Sequence, residues 1–352
     1  MKTLLQRSRM IRGRLSDRRI YGPALIVTVL AVLSFLNLTD GWVTKVSAQD
    51  VTYFRIGTSR PGSHPFNIAA EIGNAISNPT GGADCDPGDT CGVPGVVGMA
   101  QTTAGAVESL QLLRKGDIDG AIVQADMVAL AAAGKGPFKA AGPDTGLRAI
   151  ATVGDVALQV IVPVDSDIKT LSDLKGKRVA TNPDGSDGAA SVRLILNALG
   201  LSERKVKLQP MELTDAASQL VGSKIDAIAI VERPNQPEIT AITERMALRL
   251  VPVGEADLSK IGKERRDLIL AHLPAGTDSS PTATDTLIVP ILFVVTAKTD
   301  EKIAYELART LVVPGRGTKT TSNPAASGPD AHIETTVVPL HPGVEKLTGI
   351  TN

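Results

Sequence analysis

The chain has 352 residues, 43% of them hydrophobic, with 37 Lys and Arg balanced by 37 Asp and Glu. That composition excludes a disordered chain and allows one large domain or two ordinary ones. Eight of the basic residues and two of the acidic ones fall in residues 1–48, which leaves 29 basic and 35 acidic in residues 49–352, a net of −6. A mildly acidic body argues against a nucleic-acid partner.

The first predicted element is a leader. A basic stretch ends at Arg19, an apolar run follows from Pro23 to Leu38, and Val46-Ser47-Ala48 supplies small residues at a cleavage point. This order reads as a secretory signal over residues 1–48. The apolar core is roughly 15 residues, short of the ~20 that cross a bilayer. The alternative is an uncleaved N-terminal membrane anchor. The expected location is therefore the periplasm, with an inner-membrane tether if the leader stays attached.

From Asp50 onward, strand-like and helix-like segments alternate. Val51–Gly57 is β-branched and apolar, and His64–Ile76 places Ile68, Ala69, Ile72, Ala75 and Ile76 on one helical face. Strands are predicted at Val96–Gln101 and Ala121–Gln124, with helices from Val107 to near Gly116 and over Met127–Ala133. Val156–Val164 reads as a bridge between lobes. Downstream, strands at Arg178–Ala180, Val206–Leu208, Ala227–Val231 and Asp285–Thr296 alternate with helices at Gly188–Leu199, Ala216–Val221 and Glu301–Val312. Residues 314–335 are rich in Pro, Gly, Ser and Thr and read as a surface excursion. Strands separated by helix-length segments imply parallel sheets covered on both faces. The predicted fold is a two-lobed α/β protein, with lobe one at 50–156 plus 283–352, lobe two at 157–282, and two crossovers between them.

Cys85 and Cys91 are the only cysteines and share one loop. A metal site would need further nearby ligands, and His64 is the only roughly local histidine. A disulfide closing a small surface loop fits an exported chain better.

Three loops rich in small residues precede helices. They contain Thr58, Ser59, Gly62 and Ser63; then Thr103, Ala104, Gly105 and Ala106; then Gly185, Ser186, Asp187 and Gly188. Small residues admit close backbone approach, and free N–H groups at a helix start favour an anion such as a carboxylate. A single such loop reads as a capped turn, whereas loops from both lobes could close on one cleft. Gln124 ends a predicted strand, where ligands bind in open α/β sheets. Asp126 follows it, to orient a ligand or to start the next helix. Phosphate-binding, dinucleotide, nucleophile-elbow and zinc motifs are missing from the sequence, so no enzyme, cofactor or metal role is expected. Residues 49–352 contain only six aromatic residues (Tyr53, Phe54, Phe66, Phe138, Phe293 and Tyr305), which disfavours a stacking site.

Taken together, these segments resemble the TAXI family of extracytoplasmic solute receptors, the binding subunits of one class of TRAP transporters. The resemblance is carried by Ile56-Gly57-Thr58 and its loop, Thr103 to Leu110, Val123-Gln124-Ala125-Asp126, Ile168 to Val179 followed by Gly185-Ser186, Lys224 to Ala227, Leu273 to Gly276, and Pro339 to Gly343. Cys85 to Pro94 is similar to an insertion in one branch. The chain departs from the family's pattern at Val153–Gln159, Asp187, Glu232–Pro237 and Thr277. Asp187 there would either repel a second carboxylate or pair with a ligand amine, and Arg233 would supply a cation or a surface ion pair. The resemblance implies a receptor that captures a small anionic or zwitterionic solute, carboxylate or amino-acid-like, between two lobes and delivers it to TRAP-type permease subunits. A membrane-anchored ligand sensor or scaffold with the same fold is the alternative.

Overall fold

The computed structural model describes residues 51–78, 92–261, 265, 267–312 and 337–348. The leader, both cysteines and the 314–335 excursion lie outside the described residues.

Strand β1 (Thr52–Thr58) leads to helix α1 (His64–Ile76), the short β2 (Ser77–Asn78) and β3 (Val93–Pro94), then β4 (Val96–Thr102), α2 (Ala106–Lys115), β5 (Gly120–Gln124) and α3 (Ala125–Ala133). The helices begin and end where the sequence allows. Ser63 caps α1 by accepting from the Phe66 N–H, and Gly116 and Gly134, both left-handed, terminate α2 and α3. The predicted apolar stripe of α1 buries Ile68, Ala69, Ile72 and Ile76. Each isoleucine buried in this way stabilises the fold by about 1.5–3 kcal/mol.

A 17-residue strand, β6 (Leu147–Pro163), follows. The chain continues through β7 (Arg178–Thr181), α4 (Asp187–Ala198), β8 (Lys207–Pro210), α5 (Leu213–Val221), β9 (Ala227–Glu232), α6 (Pro237–Thr240), β10 (Leu248–Leu250), α7 (Glu255–Ile261) and β11 (Ile269–Leu273). It closes with β12 (Thr284–Thr296), α8 (Glu301–Val312) and α9 (Pro342–Thr348).

The expected α/β class is the one observed. Among the described residues two three-stranded parallel groups are present, β4-β1-β5 and β9-β7-β8, besides the short parallel pair β2-β3. They are not separate sheets. The long antiparallel strands β12 and β6 join them into one mixed sheet in the order β3-β2-β4-β1-β5-β12-β6-β9-β7-β8, with β10 added to β6 and β11 to β12. The predicted bridge at Val156–Val164 is the second half of β6. Ala157 marks the handover, because it pairs with Ile288 of β12 on one side and Glu232 of β9 on the other. At the centre of the core, Phe54 and Phe293 meet edge to face at 6.3 Å and 86°. Gly120 leaves room for that pair, since a Cβ there would lie 2.7 Å from the Phe293 ring. Among the described residues no helix is long and apolar enough to cross a membrane.

Candidate functional site

Six parallel strands, β1, β4, β5, β7, β8 and β9, end at one cavity of about 790 Å³. Its walls include Ser59 just past β1, Thr103 past β4, Gln124 at the end of β5, Thr181 at the end of β7, Met211 past β8 and Glu232 at the end of β9. The carboxyl ends of parallel strands are where ligands bind in α/β sheets, because the next helix starts there and its N–H groups point outward.

Of the predicted site residues, Ser59, Gly62 and Ser63 line the cavity, as do Thr103, Ala104 and Gly105, then Gln124, and finally Gly185, Ser186, Asp187 and Gly188. Thr58, Ala106 and Asp126 are not among its lining residues. Thr58 is wholly buried, and its carbonyl accepts from the Thr103 hydroxyl and backbone N–H. Asp126 lies in the first turn of α3, where its carboxylate accepts from the Met127 N–H at 2.7 Å and contacts Ser191.

Most of the hydroxyls in the three loops already have work within the fold. Ser63 and Ser186 cap α1 and α4. Thr103 Oγ1 donates towards the Thr58 and Gly105 carbonyls and contacts Ser109 Oγ at 2.8 Å. Ser59 Oγ donates to Asp187 Oδ2 at 2.8 Å, and the Ala106 N–H, the first of α2, donates to Asp187 Oδ1 at 2.7 Å. The seat that helix α2 offers an anion thus holds the chain's own carboxylate. A Cβ on Gly105 would lie 2.9 Å from Asp187 Oδ1, so the glycine permits this approach; its φ of +122° also suits glycine alone. Burial pushes the Asp187 carboxyl up, against the lowering effect of those two donors.

Two further contacts tie α4 and α5 to the β1 and β5 ends. Arg60 holds Glu212 through paired bonds of 2.8 and 3.2 Å. Ser191 Oγ lies 2.6 Å from Gln124 Oε1 and also contacts Asp126 Oδ2. A hydroxyl has one proton, so when Ser191 donates to Gln124 a protonated Asp126 completes the chain by donating to Ser191. Burial raises the Asp126 carboxyl to about 7, which favours that protonated form.

Sequence reasoning left out several wall residues. Thr181 is 1% exposed, and its Oγ1 has no hydrogen-bond partner among the described residues. Asn182 is buried, accepting from the Val231 N–H at 3.1 Å and donating to Glu232 Oε1 at 3.1 Å. Burial raises the Glu232 carboxyl to about 7, moderated by Arg60 and Arg233. Glu238 lines the cavity and has one buried oxygen, Oε2, without a partner. His64, also in the wall, is held neutral: burial and Arg233 lower it to about 4. The one sequence signal for this wall is position, since Thr181, Glu232 and Met211 sit at or just past strand ends. Among the described residues, no three His, Cys, Asp or Glu are grouped to hold a metal ion.

Comparison with solved structures finds distant likenesses. The alkanesulfonate-binding protein SsuA from Xanthomonas axonopodis pv. citri, bound to MOPS, is 19% identical with a TM-score of 0.38, covering 84% of this chain and 89% of that one. A TctC solute binding protein from Polaromonas is 16% identical with a TM-score of 0.45, covering 73% and 82%. The periplasmic aliphatic sulphonate binding protein SsuA from Escherichia coli is 17% identical with a TM-score of 0.34, covering 68% and 65%. A family match runs over residues 56–347, and on that match the chain belongs to the NMT1-like family, whose members are substrate-binding receptors and not enzymes.

Proposed function

We propose that the chain is an extracytoplasmic receptor of TAXI type, which captures a small amino-acid-like or carboxylate solute and presents it to TRAP-type permease subunits. One observation carries this reading: six parallel strands from both halves of the sheet end at a single cavity. The lobes are residues 50–156 plus 283–352 and residues 157–282, and the chain passes between them within β6 and again before β12. A solute touching loops from both lobes favours the closed arrangement and so marks the receptor as loaded. Of the proposed solute classes, the amino-acid-like zwitterion suits the walls better than a carboxylate without an amine. The lining carries Asp184, Asp187, Glu212, Glu232 and Glu238 against only Arg60 and Arg233.

The test is a thermal-shift screen of the purified protein with amino acids and carboxylates. A solute in large excess over its dissociation constant stabilises by about 3 kcal/mol or more, enough to raise the melting temperature by several degrees. Absence of a shift with every small solute would remove the receptor reading.

A further inference from the structure

Four of the five acidic side chains on the cavity wall have a hydrogen-bonding partner, and for two of them it is an arginine. Asp184 pairs with Arg193, Glu212 with Arg60, and Asp187 with Ser59 and the Ala106 N–H. Glu232 and Glu238 make no ion pair among the described residues. Glu232 accepts from Asn182, while Glu238 Oε2 is buried with no hydrogen bond among the described residues. In the same lining is Thr181, 1% exposed, with its hydroxyl oxygen unpartnered among the described residues. Buried polar atoms are nearly always paired, so these mark a place where a partner is expected.

We propose that Glu232, Glu238 and Thr181 form a subsite for a protonated amine of the solute. An ammonium carries three N–H donors and no acceptor, so it complements two carboxylates and a hydroxyl oxygen. A carboxylate at the same place would meet acceptors and like charge. Nor is it offered the α2 start, where Asp187 already accepts from Ala106 and Ser59. The carboxylate end of a zwitterion is served instead by Arg233, which is exposed and lines the same cavity. Burial leaves the Glu232 carboxyl largely protonated below about pH 7. Pairing with an ammonium therefore requires loss of that proton, and amine affinity rises with pH up to that point.

This inference rests on the receptor reading, and the experiment separates the two. Amino acids, the matching amines lacking the carboxylate, and the matching acids lacking the amine are tested by thermal shift and calorimetry. Amine-bearing compounds are expected to bind, and to bind more tightly at pH 8 than at pH 6. If only the deaminated acids bind, the receptor reading stands and the amine subsite is overturned. If nothing in the three sets binds, both fall. Glu232→Gln keeps an acceptor for Asn182 and should weaken amine binding about 10- to 100-fold, the worth of one hydrogen bond to a charged group. Thr181→Val removes only the hydroxyl, should fold normally, and should weaken amine binding severalfold. Unchanged amine affinity in both variants would overturn the assignment.

Discussion

Gly188→Ala tests how tightly the cavity wall is built. Gly188 is the second residue of α4, where alanine would ordinarily add up to ~1 kcal/mol of helix stability. A Cβ at this position would lie 2.7 Å from Asn182 Cγ, Asn182 Oδ1 and the Val231 carbonyl oxygen. None of these is a flexible tip. Val231 belongs to β9, and Asn182 is fixed between the Val231 N–H and Glu232 Oε1, each at 3.1 Å. Relieving such a clash costs about 1–3 kcal/mol. If Asn182 moves away, the buried Val231 N–H loses its acceptor for a further ~1–3 kcal/mol. Against the helix gain, the net loss is about 1–5 kcal/mol, with ~3 kcal/mol as the central value. In urea, monitored by circular dichroism, the midpoint should fall by roughly 1 M at unchanged slope. An equal or higher midpoint would show that α4 is not wedged against Asn182 and β9.

Asp126→Asn should flatten one component of the pH dependence of stability. The folded carboxyl titrates at about 7, above its value in the unfolded chain. The wild type is thus helped at low pH and loses that help as pH rises from ~4 to ~7, at a slope of about 1.4 kcal/mol per pH unit. The stability difference, variant minus wild type, should grow through this window and level off above it; parallel curves would contradict the buried-acid assignment. Ser191→Ala leaves the Gln124 and Asp126 oxygens without their shared partner, so thermal unfolding should report a loss of about 1–3 kcal/mol. An unaltered melting temperature would mean that the Ser191 contacts contribute nothing. Arg60 and Glu212 each have side chains 57% exposed, so Arg60→Ala should cost at most ~1 kcal/mol, and the effect should vanish in ~1 M salt. A larger loss that survives salt would show the pair to be shielded from solvent.

Much of the fold could be read from local pattern. His64–Ile76 matches the helix bounds because its apolar residues recur at helical spacing and Ser63 precedes it as a cap. Glu301–Val312 matches for the same reason of spacing. The first half of β6 was not legible, because Gly154-Asp155 interrupts the apolar run and mimics a turn. The structure carries the ladder through that point, with Gly154 opposite Ile291 and Asp155 opposite Pro290. Antiparallel β12 beside β5 was equally hidden, since pairing partners some 170 residues apart leave no local trace. At the site, the Gly- and Ser-rich loops were legible as strand-end loops. Their use of hydroxyls as caps, and the seating of Asp187 on Ala106, depend on segments about 80 residues apart meeting. The unpartnered oxygens of Thr181 and Glu238 are properties of packing, which sequence spacing does not encode.

The passage of the chain through Ala157 bears on how such a receptor moves. Because β6 and β12 run through the middle of the sheet as paired strands, the two proposed lobes would share a ladder where many jointed proteins have loose chain. A joint of this kind behaves as a torsion spring. Each residue absorbs a small change of twist while its ladder bonds persist. The restoring force grows with angle, so the swing is limited and reversal needs no refolding. The angle at rest is then fixed by side-chain packing on both faces of two strands, and a substitution far from the solute can retune capture by changing the stiffness of the sheet.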